Sequence, residues 1–220
     1  MNLNSKSETA PDASLEEKPV RPLRERLREE TGRAVMAAAE EVFAAQGMHA
    51  ARMEEIAARA GVSVGTVYNH FEDRDALLSA LLAARRAELC QRLDLALEHG
   101  AKEPFTRQLE RFVAALFEHF ESHRPFLTLV IEGEHVRQTA APHGKGSQAM
   151  TEIYRRIETL LRRGVQKKEL RSDGAALWPA LFMGSIKGVL VFEIYQPGRG
   201  SIIERAPELV RFFLQGAKSC

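Results

Sequence analysis

The stretch Arg52–Phe71, RMEEIAARAGVSVGTVYNHF, decides the fold of this chain. Its first half carries apolar residues at helical spacing, which predicts one apolar helix face: Met53, Ile56, Ala57 and Ala60. Gly61 ends this helix, because glycine adopts the left-handed conformation at little cost. Ser63 then caps a second short helix, in which Val67 and Phe71 share the inward face. Two short helices joined by a glycine turn predict a helix-turn-helix.

The same residues carry a resemblance to the tetracycline-repressor (TetR) family of bacterial transcription regulators. They form one ordered string: Ile56-Ala57, Ala60-Gly61-Val62-Ser63, Gly65-Thr66-Val67-Tyr68 and Asn69-His70-Phe71. The resemblance covers about Thr31–Leu82, and we recognise no motif in the C-terminal part. It implies an all-α fold, in which an N-terminal three-helix DNA-binding domain with a helix-turn-helix precedes a C-terminal helical bundle for ligand binding and dimerisation.

We expect three parts along the chain. Residues 1–20 mix Ser, Pro, Glu and Lys, which predicts a disordered leader. Residues 21–75 form the helix-turn-helix DNA-binding domain, and residues 76–220 form the helical ligand-binding and dimerisation domain. Apolar periodicity predicts further helices over these ranges: Thr31–Gln46, from after Phe71 to about His99, Pro104–Ser122, Pro125–Glu134, Ser147–Lys168, Asp173–Tyr195 and Ile203–Gln215. Gln138–Gly146 is expected to be a polar loop, and Pro179 is expected to kink its helix.

Composition limits the other possibilities. The formal net charge of +1 indicates no particular partner, and two cysteines fit a reducing cytosol better than a disulfide scaffold. The sequence shows neither a secretory signal nor an apolar run of the roughly 18 residues that a membrane helix needs. We therefore expect a cytoplasmic protein with no membrane partner and no cofactor. By resemblance it is bacterial and associates with the nucleoid when bound to DNA.

The candidate DNA-binding residues lie on and around the second helix of the motif. Asn69 can pair with adenine through two hydrogen bonds, and Thr66 and Val64 can contact a thymine methyl group. The resemblance assigns Tyr68, His70 and Arg74 to phosphates. The complete set of candidates is Arg52, Ser63, Val64, Gly65, Thr66, Tyr68, Asn69, His70 and Arg74. Relatives often carry Lys at position 64, and a Thr or Ser cap where Ala51 and Arg52 stand here.

The charge of the predicted DNA-binding domain is unusual. Residues 21–74 hold eight Arg, no Lys and nine acids, so their sum is 8 − 9 = −1. The segment from Arg21 to Arg28 is either a basic arm that reaches DNA or the solvated end of a charged helix. A helical interaction protein that has lost DNA binding therefore remains the alternative function.

Small residues recur every four positions in the penultimate helix, at Ala176, Ala180, Gly184 and Gly188. A face of small side chains permits close helix approach. The resemblance implies that the last two long helices, about Ala175–Tyr195 and Ile203–Leu214, pair with their copies in a homodimer. The predicted interface residues are Ala180, Gly184, Gly188, Val191 and Phe212. Internal packing in a monomer is the alternative. A dimer would bind a near-palindromic double-stranded operator, as a repressor.

The resemblance also implies a pocket for a small-molecule effector in the C-terminal domain. Its candidate lining is rich in apolar and aromatic side chains: Cys90, Leu93, Phe112, Leu116, Phe120, Phe126, Val130, Tyr154, Ile157, Trp178 and Phe182. Each of these residues could instead belong to an ordinary core. As a set they indicate an apolar or aromatic ligand, whose binding would release the DNA.

Enzyme and metal signatures are weak. His119 and His123 stand four apart, with Glu118 and Glu121 nearby and His135 further on. This spacing can bind a metal ion, but no third ligand is evident, so we predict a solvated helix end and no metal. No glycine-rich phosphate loop or Gly-x-Ser-x-Gly elbow is present, so no catalytic residue is assigned. Cys90 fits a small core residue or a buried thiol sensor.

Overall fold

The computed structural model describes residues 22–131, 148–196 and 200–217, and the regular elements within these ranges are helical. They are α1 (Leu23–Gln46), α2 (Met53–Ala60), α3 (Val64–Tyr68), α4 (Arg74–His99), α5 (Phe105–Ser122), α6 (residues 124–131), α7 (Gln148–Gln166), α8 (Trp178–Tyr195), a 3₁₀ turn (Ile202–Arg205) and α9 (Ala206–Ala217). The all-α prediction is confirmed. No helix in these ranges combines the length and the apolar character needed to cross a bilayer. The predicted leader, residues 1–20, and the predicted loop, Gln138–Gly146, lie outside the described residues.

Helices α1 to α3 pack around a small apolar core, which we call the head core. Its fully buried members come from all three helices and from the start of α4: Val35, Ala39, Phe43, Ile56, Val67 and Leu77. The predicted end of the first motif helix and start of the second are confirmed, because Gly61 is left-handed at φ 69° and Ser63 caps α3. Asp73 caps α4 by accepting a hydrogen bond from the backbone N–H of Ala76 at 2.7 Å.

Two helix boundaries differ from the prediction in this part of the chain. Helix α1 begins at Leu23, eight residues before the predicted start, so the arginine-rich segment is helical from Leu23 onward. Helix α3 ends at Tyr68, so His70 and Phe71 lie beyond it. The backbone N–H of Phe71 still donates to the carbonyl of Val67 at 2.9 Å, and this turn carries the Phe71 ring onto the head core.

Helix α4 links this core to a second, larger one. Leu77 and Leu81 belong to the head core, whereas Leu89 and Leu93 belong to the second core, formed with α5 to α9 and the 3₁₀ turn. Leu129 of α6 also packs in the head core. The two cores are therefore joined through α4 and α6.

Helix α8 begins later than predicted. Residues 173–177 form turns, in which the carbonyl of Gly174 accepts hydrogen bonds from the N–H groups of Leu177 and Trp178 at 2.8 and 3.1 Å. Pro179 lies in the first turn of α8, where its missing N–H costs nothing, so the predicted kink is wrong. Ala176 also lies before the helix, and the repeat of small residues on α8 is limited to Ala180, Gly184 and Gly188.

Candidate functional site

Helix α3 is held by its own capping residues. The Ser63 hydroxyl accepts a hydrogen bond from the backbone N–H of Thr66 at 3.1 Å, and it lies 2.8 Å from the Thr66 hydroxyl. Val67 is fully buried beneath the helix and fixes its rotation against α1 and α2. The hydroxyl groups of Ser63 and Thr66 therefore stabilise the first turn of α3, with or without a bound ligand.

The opposite face of α3 is open. Tyr68 is 49% exposed, and Asn69 and Gly65 are exposed as well. A Cβ atom at Gly65 would meet only the Ser63 hydroxyl, at 3.8 Å, so the backbone here is accessible from outside. The exposed Asn69 amide can donate and accept at once, as pairing with an adenine edge requires.

Two other predicted DNA-binding residues are engaged within the protein. Arg74 donates from Nη1 to the carbonyl of His49 at 2.5 Å, and from Nε and Nη2 to Asp75 at 3.1 and 2.9 Å. It thereby ties the start of α4 to the turn that precedes α2. His70 is half-buried against α1, where a Cβ atom at Gly32 would lie 3.3 Å from its Nδ1.

Two acids of α1 are paired within the protein. Glu40 is buried and pairs with Arg85, and Glu41 pairs with Arg59 on α2. The first turns of α1 place Arg24, Glu25 and Arg28 along a groove that also contains Thr66, Asn69 and His70. The near-neutral charge of this part of the chain thus includes carboxylates with internal partners. Arg52 and Val64 complete the set, with Arg52 exposed before α2 and Val64 half-buried at the start of α3.

Nine of the eleven predicted effector-pocket residues belong to the second core or pack against it, and Cys90 and Tyr154 are the other two. Eight of them are buried: Cys90, Leu93, Phe112, Leu116, Phe120, Phe126, Ile157 and Phe182. Val130, Tyr154 and Trp178 are half-buried. Phe120 and Phe126 stack on each other at 6.1 Å near α6, whereas Trp178 and Phe182 both contact Phe213 of α9. The aromatic residues therefore form two separate groups.

Polar contacts enter this core where the sequence predicted few charges. The Cys90 thiol donates to the Glu152 carboxylate at 3.1 Å. Burial, together with that hydrogen bond, raises the pKa of Cys90 to about 11. Beside it, Arg156 makes two hydrogen bonds to Asp94, at 2.7 and 2.8 Å, and lowers the pKa of the Asp94 carboxyl.

An exposed apolar face runs along α8 and α9. Ala180, Gly184 and Gly188 are exposed, Val191 is half-buried, and Phe212 of α9 is 76% exposed. The large apolar side chains exposed beside them are Leu177, Leu181, Phe192 and Tyr195. All five predicted interface residues thus lie on or at the edge of one face. A Cβ atom at Gly184 or Gly188 would have nothing within 4 Å.

A partly buried polar cluster, which we call the junction cluster, lies where α1, α4 and α5 meet. It consists of Glu40, Arg85, Glu88, Arg92, His119 and His123. Arg85 donates to Glu40 at 2.7 Å and to Glu88 at 3.2 Å. His123 lies between the two carboxylates, with Nε2 3.3 Å from Glu88 and Nδ1 3.7 Å from Glu40.

The solvated helix end predicted at His119 and His123 is wrong. His119 is fully buried, and neither ring nitrogen has a hydrogen-bond partner in the described part of the chain. Its ring meets Phe120 and Phe126 edge-on. Burial and the nearby charge of His123 lower the pKa of His119 to about 4. The predicted neighbour His135 lies outside the described residues.

The acidic neighbours of the two histidines also differ from the sequence expectation. Glu118 lies 3.9 Å from Arg92, and Glu121 accepts from the Ser201 hydroxyl at 2.7 Å. Glu88 of α4 approaches the histidines instead. Burial acts to raise the pKa of Glu88, but the hydrogen bond and charge of His123, with Arg92, outweigh it and lower that pKa. Glu40 could have been suspected from the sequence, because it stands directly after Ala39 and three residues before Phe43, two apolar residues that pack in the head core.

Comparison with known proteins places these features in a family. Residues 35–81 match the model of bacterial regulatory proteins of the tetR family. The chain is 33% identical over 170 residues to the HTH-type transcriptional regulator SrpR of Pseudomonas putida, covering 76% of this chain and 75% of SrpR.

Solved structures agree in fold. The TetR family regulator PfmR of Thermus thermophilus has a TM-score of 0.66 at 21% identity, covering 82% of this chain and 97% of PfmR. The regulator FadR of Bacillus subtilis, solved in complex with stearoyl-CoA, has a TM-score of 0.62 at 16% identity. That match covers 84% of this chain and 98% of FadR.

Proposed function

This chain belongs to the TetR family of bacterial transcription regulators, and we propose that it is a ligand-responsive repressor. As a homodimer it binds a near-palindromic operator and leaves it when a small apolar or aromatic effector binds. The domain division that we propose is residues 21–75 for DNA binding and residues 76–220 for effector binding and dimerisation.

The observation that carries this proposal is the two-sided character of α3. Val67 is fully buried, whereas Tyr68 and Asn69 on the other side are exposed and carry hydrogen-bonding groups. A helix anchored on one face and polar on the other can enter a major groove without unfolding. We propose that Asn69, Thr66, Val64 and Gly65 face the bases.

We propose that phosphates are bound around this helix by Arg52, Tyr68 and the arginines of α1. Arg24 and Arg28 border the groove beside Asn69 together with a single acid, Glu25, and this excess of one positive charge supports the basic-arm interpretation. Arg74 acts differently in this proposal. Its guanidinium is already bonded to the carbonyl of His49, so it positions the turn before α2 and contributes its charge at a distance.

The exposed face of α8 and α9 supports the homodimer. Leu177, Leu181 and Phe212 are each more than half exposed in the single chain, and removing such apolar side chains from water is the main driving force of association. Gly184 and Gly188 allow backbones to approach closely. Two DNA-binding domains related by a two-fold axis would then bind half-sites about one DNA turn apart.

The effector would bind in the second core. The aromatic groups around Phe120 and around Trp178 supply apolar surface. FadR of Bacillus subtilis, which is similar in fold, was solved with stearoyl-CoA, an apolar acyl chain on a polar carrier. Because α4 packs in both cores, an effector that moves α4 changes the separation of the two DNA-binding domains in the dimer. This change shifts the population away from the DNA-binding state.

The direct test is enrichment of random duplex DNA by the purified full-length protein, followed by sequencing. We expect the enriched DNA sequences to share an inverted repeat whose half-sites are about one helical turn apart. Bound small molecules are first removed by refolding. If the folded, dimeric protein then enriches no sequence, the helical interaction protein becomes the favoured function. The matched control is Asn69→Ala, which should fold normally and enrich the motif poorly.

A further inference from the structure

We propose that Glu88, His119 and His123 form a binding site for a divalent transition metal ion, Zn²⁺ by preference. One ligand atom from each of these three residues lies within 4.8 Å of the other two. His119 lies on α5, His123 is the residue that directly follows this helix, and the centroids of their rings are 5.0 Å apart. The glutamate reaches them from α4. The site lies inside the junction cluster and is separate from α3 and from the α8–α9 face.

His119 is the strongest indication of a ligand at this cluster. It is fully buried among Phe120 and Phe126, yet Nδ1 and Nε2 both lack a hydrogen-bond partner among the described residues. Buried polar atoms are nearly always paired in native proteins, so an unpaired ring needs an explanation. A neutral imidazole is also the form that binds metal ions. Coordination would satisfy one nitrogen of this ring.

The spacing of the donors suits a tetrahedral ion. Bonds of about 2.0–2.1 Å in that geometry place neighbouring ligand atoms about 3.3 Å apart. Nε2 of His123 already lies 3.3 Å from Oε1 of Glu88. The three ligand atoms all lie within 4.8 Å of one another, and side-chain rotation can shorten these distances to those of a tetrahedral site. Two imidazoles and one carboxylate leave a fourth position for water or another small donor.

The surroundings orient one of the ligands. Oε1 of Glu40 lies 3.7 Å from Nδ1 of His123, on the side of the ring away from Glu88. A carboxylate on this side of the ring favours the tautomer that keeps its proton on Nδ1, which leaves Nε2 free to bind the ion, as for carboxylates behind metal-bound histidines. Since Glu40 belongs to α1, metal binding would also fix the DNA-binding head to α4 and α5.

The arginines of the cluster set a limit on affinity. Arg85 and Arg92 each donate to Glu88 at 3.2 Å, so the carboxylate must exchange part of these contacts for the ion. Their charges also oppose a cation, whereas Glu40 and Glu88 favour it. We therefore expect a reversible site that can respond to metal supply, with weaker binding than a site built of cysteines.

The test uses tag-free full-length protein, stripped with a chelator and titrated with Co²⁺ in the absence of DNA. We expect one Co²⁺ per chain with visible d–d bands of a four- or five-coordinate ion, no thiolate charge-transfer band, and displacement by Zn²⁺. A folded protein that gives no such bands at excess Co²⁺ overturns the site. A thiolate band overturns it as well, because it assigns the ion to cysteine.

Variants identify the ligands. His119→Leu, His123→Gln and Glu88→Gln should each lower Co²⁺ affinity by more than about a hundredfold, and Glu40→Gln by about ten- to a hundredfold. His99→Gln and Glu118→Gln are matched controls on the same two helices and should bind as the parent does. Equal affinity in His119→Leu and the parent overturns the site. If His119→Leu fails to fold, the more accessible His123→Gln decides the question by the same criterion. None of these outcomes depends on DNA binding.

Discussion

Arg85 of α4 donates a hydrogen bond from Nε to Oε2 of Glu40 on α1, across 2.7 Å, in a setting where the Glu40 side chain is only 5% exposed. This ion pair joins α1, which packs in the head core, to the part of α4 that leads to the second core. It lies close to the apolar link that Leu77, Leu81 and Leu129 make in the head core. The orientation of the head thus depends on a polar contact as well as on apolar packing.

Arg85→Ala should destabilise the protein by about 3–5 kcal/mol, because it leaves the Glu40 carboxylate buried without its main partner. Urea denaturation followed by circular dichroism measures the free energy of unfolding. Arg107→Ala is the matched control, since Arg107 pairs with Glu110 on the surface of α5 and should contribute at most about 1 kcal/mol. Equal stability of the two variants would show that Glu40 is solvated in solution.

DNA binding and helix capping can be separated on α3. Asn69→Ala removes an amide that is exposed to solvent, so it should leave the melting temperature nearly unchanged while operator affinity falls by about 1–3 kcal/mol. Ser63→Ala removes the cap and should lower the free energy of unfolding by about 1 kcal/mol. Fluorescence anisotropy with the enriched operator gives the affinities. If Asn69→Ala bound the operator like the parent, base contact by Asn69 would be excluded.

Gly188→Leu tests the dimer face without disturbing the single chain. A Cβ atom at Gly188 meets nothing within 4 Å, and replacing glycine within a helix raises helix propensity by up to about 1 kcal/mol. The monomer should therefore fold as well as before, while the larger side chain blocks close approach of a second copy. Sedimentation velocity at micromolar concentration should show a dimer for the parent and a monomer for the variant. Leu95→Ala, at an exposed position on α4, is the control and should remain dimeric.

Much of this architecture could be predicted because the relevant signals are local. Gly61, Ser63 and Asp73 mark helix ends through the conformation and hydrogen bonding of single residues, and all three do so in the structure. The apolar periodicity that predicts α5 corresponds to a buried stripe in the structure, which includes Leu109, Phe112, Val113 and Leu116. Such features need no knowledge of which helices meet.

The parts that the sequence did not predict depend on partners distant in the chain. His119 is buried because α4 and α6 cover its face of α5, and Glu88 approaches it from 31 residues earlier in the chain. Histidine spacing alone could not distinguish this from a solvated helix end. In the same way, the late start of α8 follows from the turn around Gly174, in which Trp178 also donates from Nε1 to the carbonyl of Arg171 at 2.9 Å.

Gly164→Ala should destabilise the second core by about 1–3 kcal/mol through overpacking. A Cβ atom at Gly164 on α7 would lie 2.4 Å from Cζ of Phe105, a ring that is buried at the start of α5. Thermal and urea denaturation should both report the loss. Gly216→Ala is the matched control, because a Cβ atom there has nothing within 4 Å. A Gly164→Ala variant as stable as Gly216→Ala would mean that α5 and α7 separate more readily than this packing implies.

The Cys90 thiol should react slowly until the pH is high. Raising the pKa of Cys90 from 9.0 to about 11 lowers its thiolate fraction about a hundredfold below pH 9. A more basic thiolate is also a better nucleophile, which raises the alkylation rate about tenfold and offsets part of this loss. In Cys220→Ser, whose remaining cysteine is Cys90, alkylation at pH 8 should therefore be at least about tenfold slower than in urea, with burial slowing it further. Because the pKa of Cys90 is raised, the rate should keep increasing beyond pH 9. Glu152→Gln should shift the profile to lower pH, because it removes a negative charge beside the thiol and replaces one acceptor oxygen by an NH2 donor. A rate that levels off near pH 9 in the folded protein would contradict the buried position of Cys90 against Glu152.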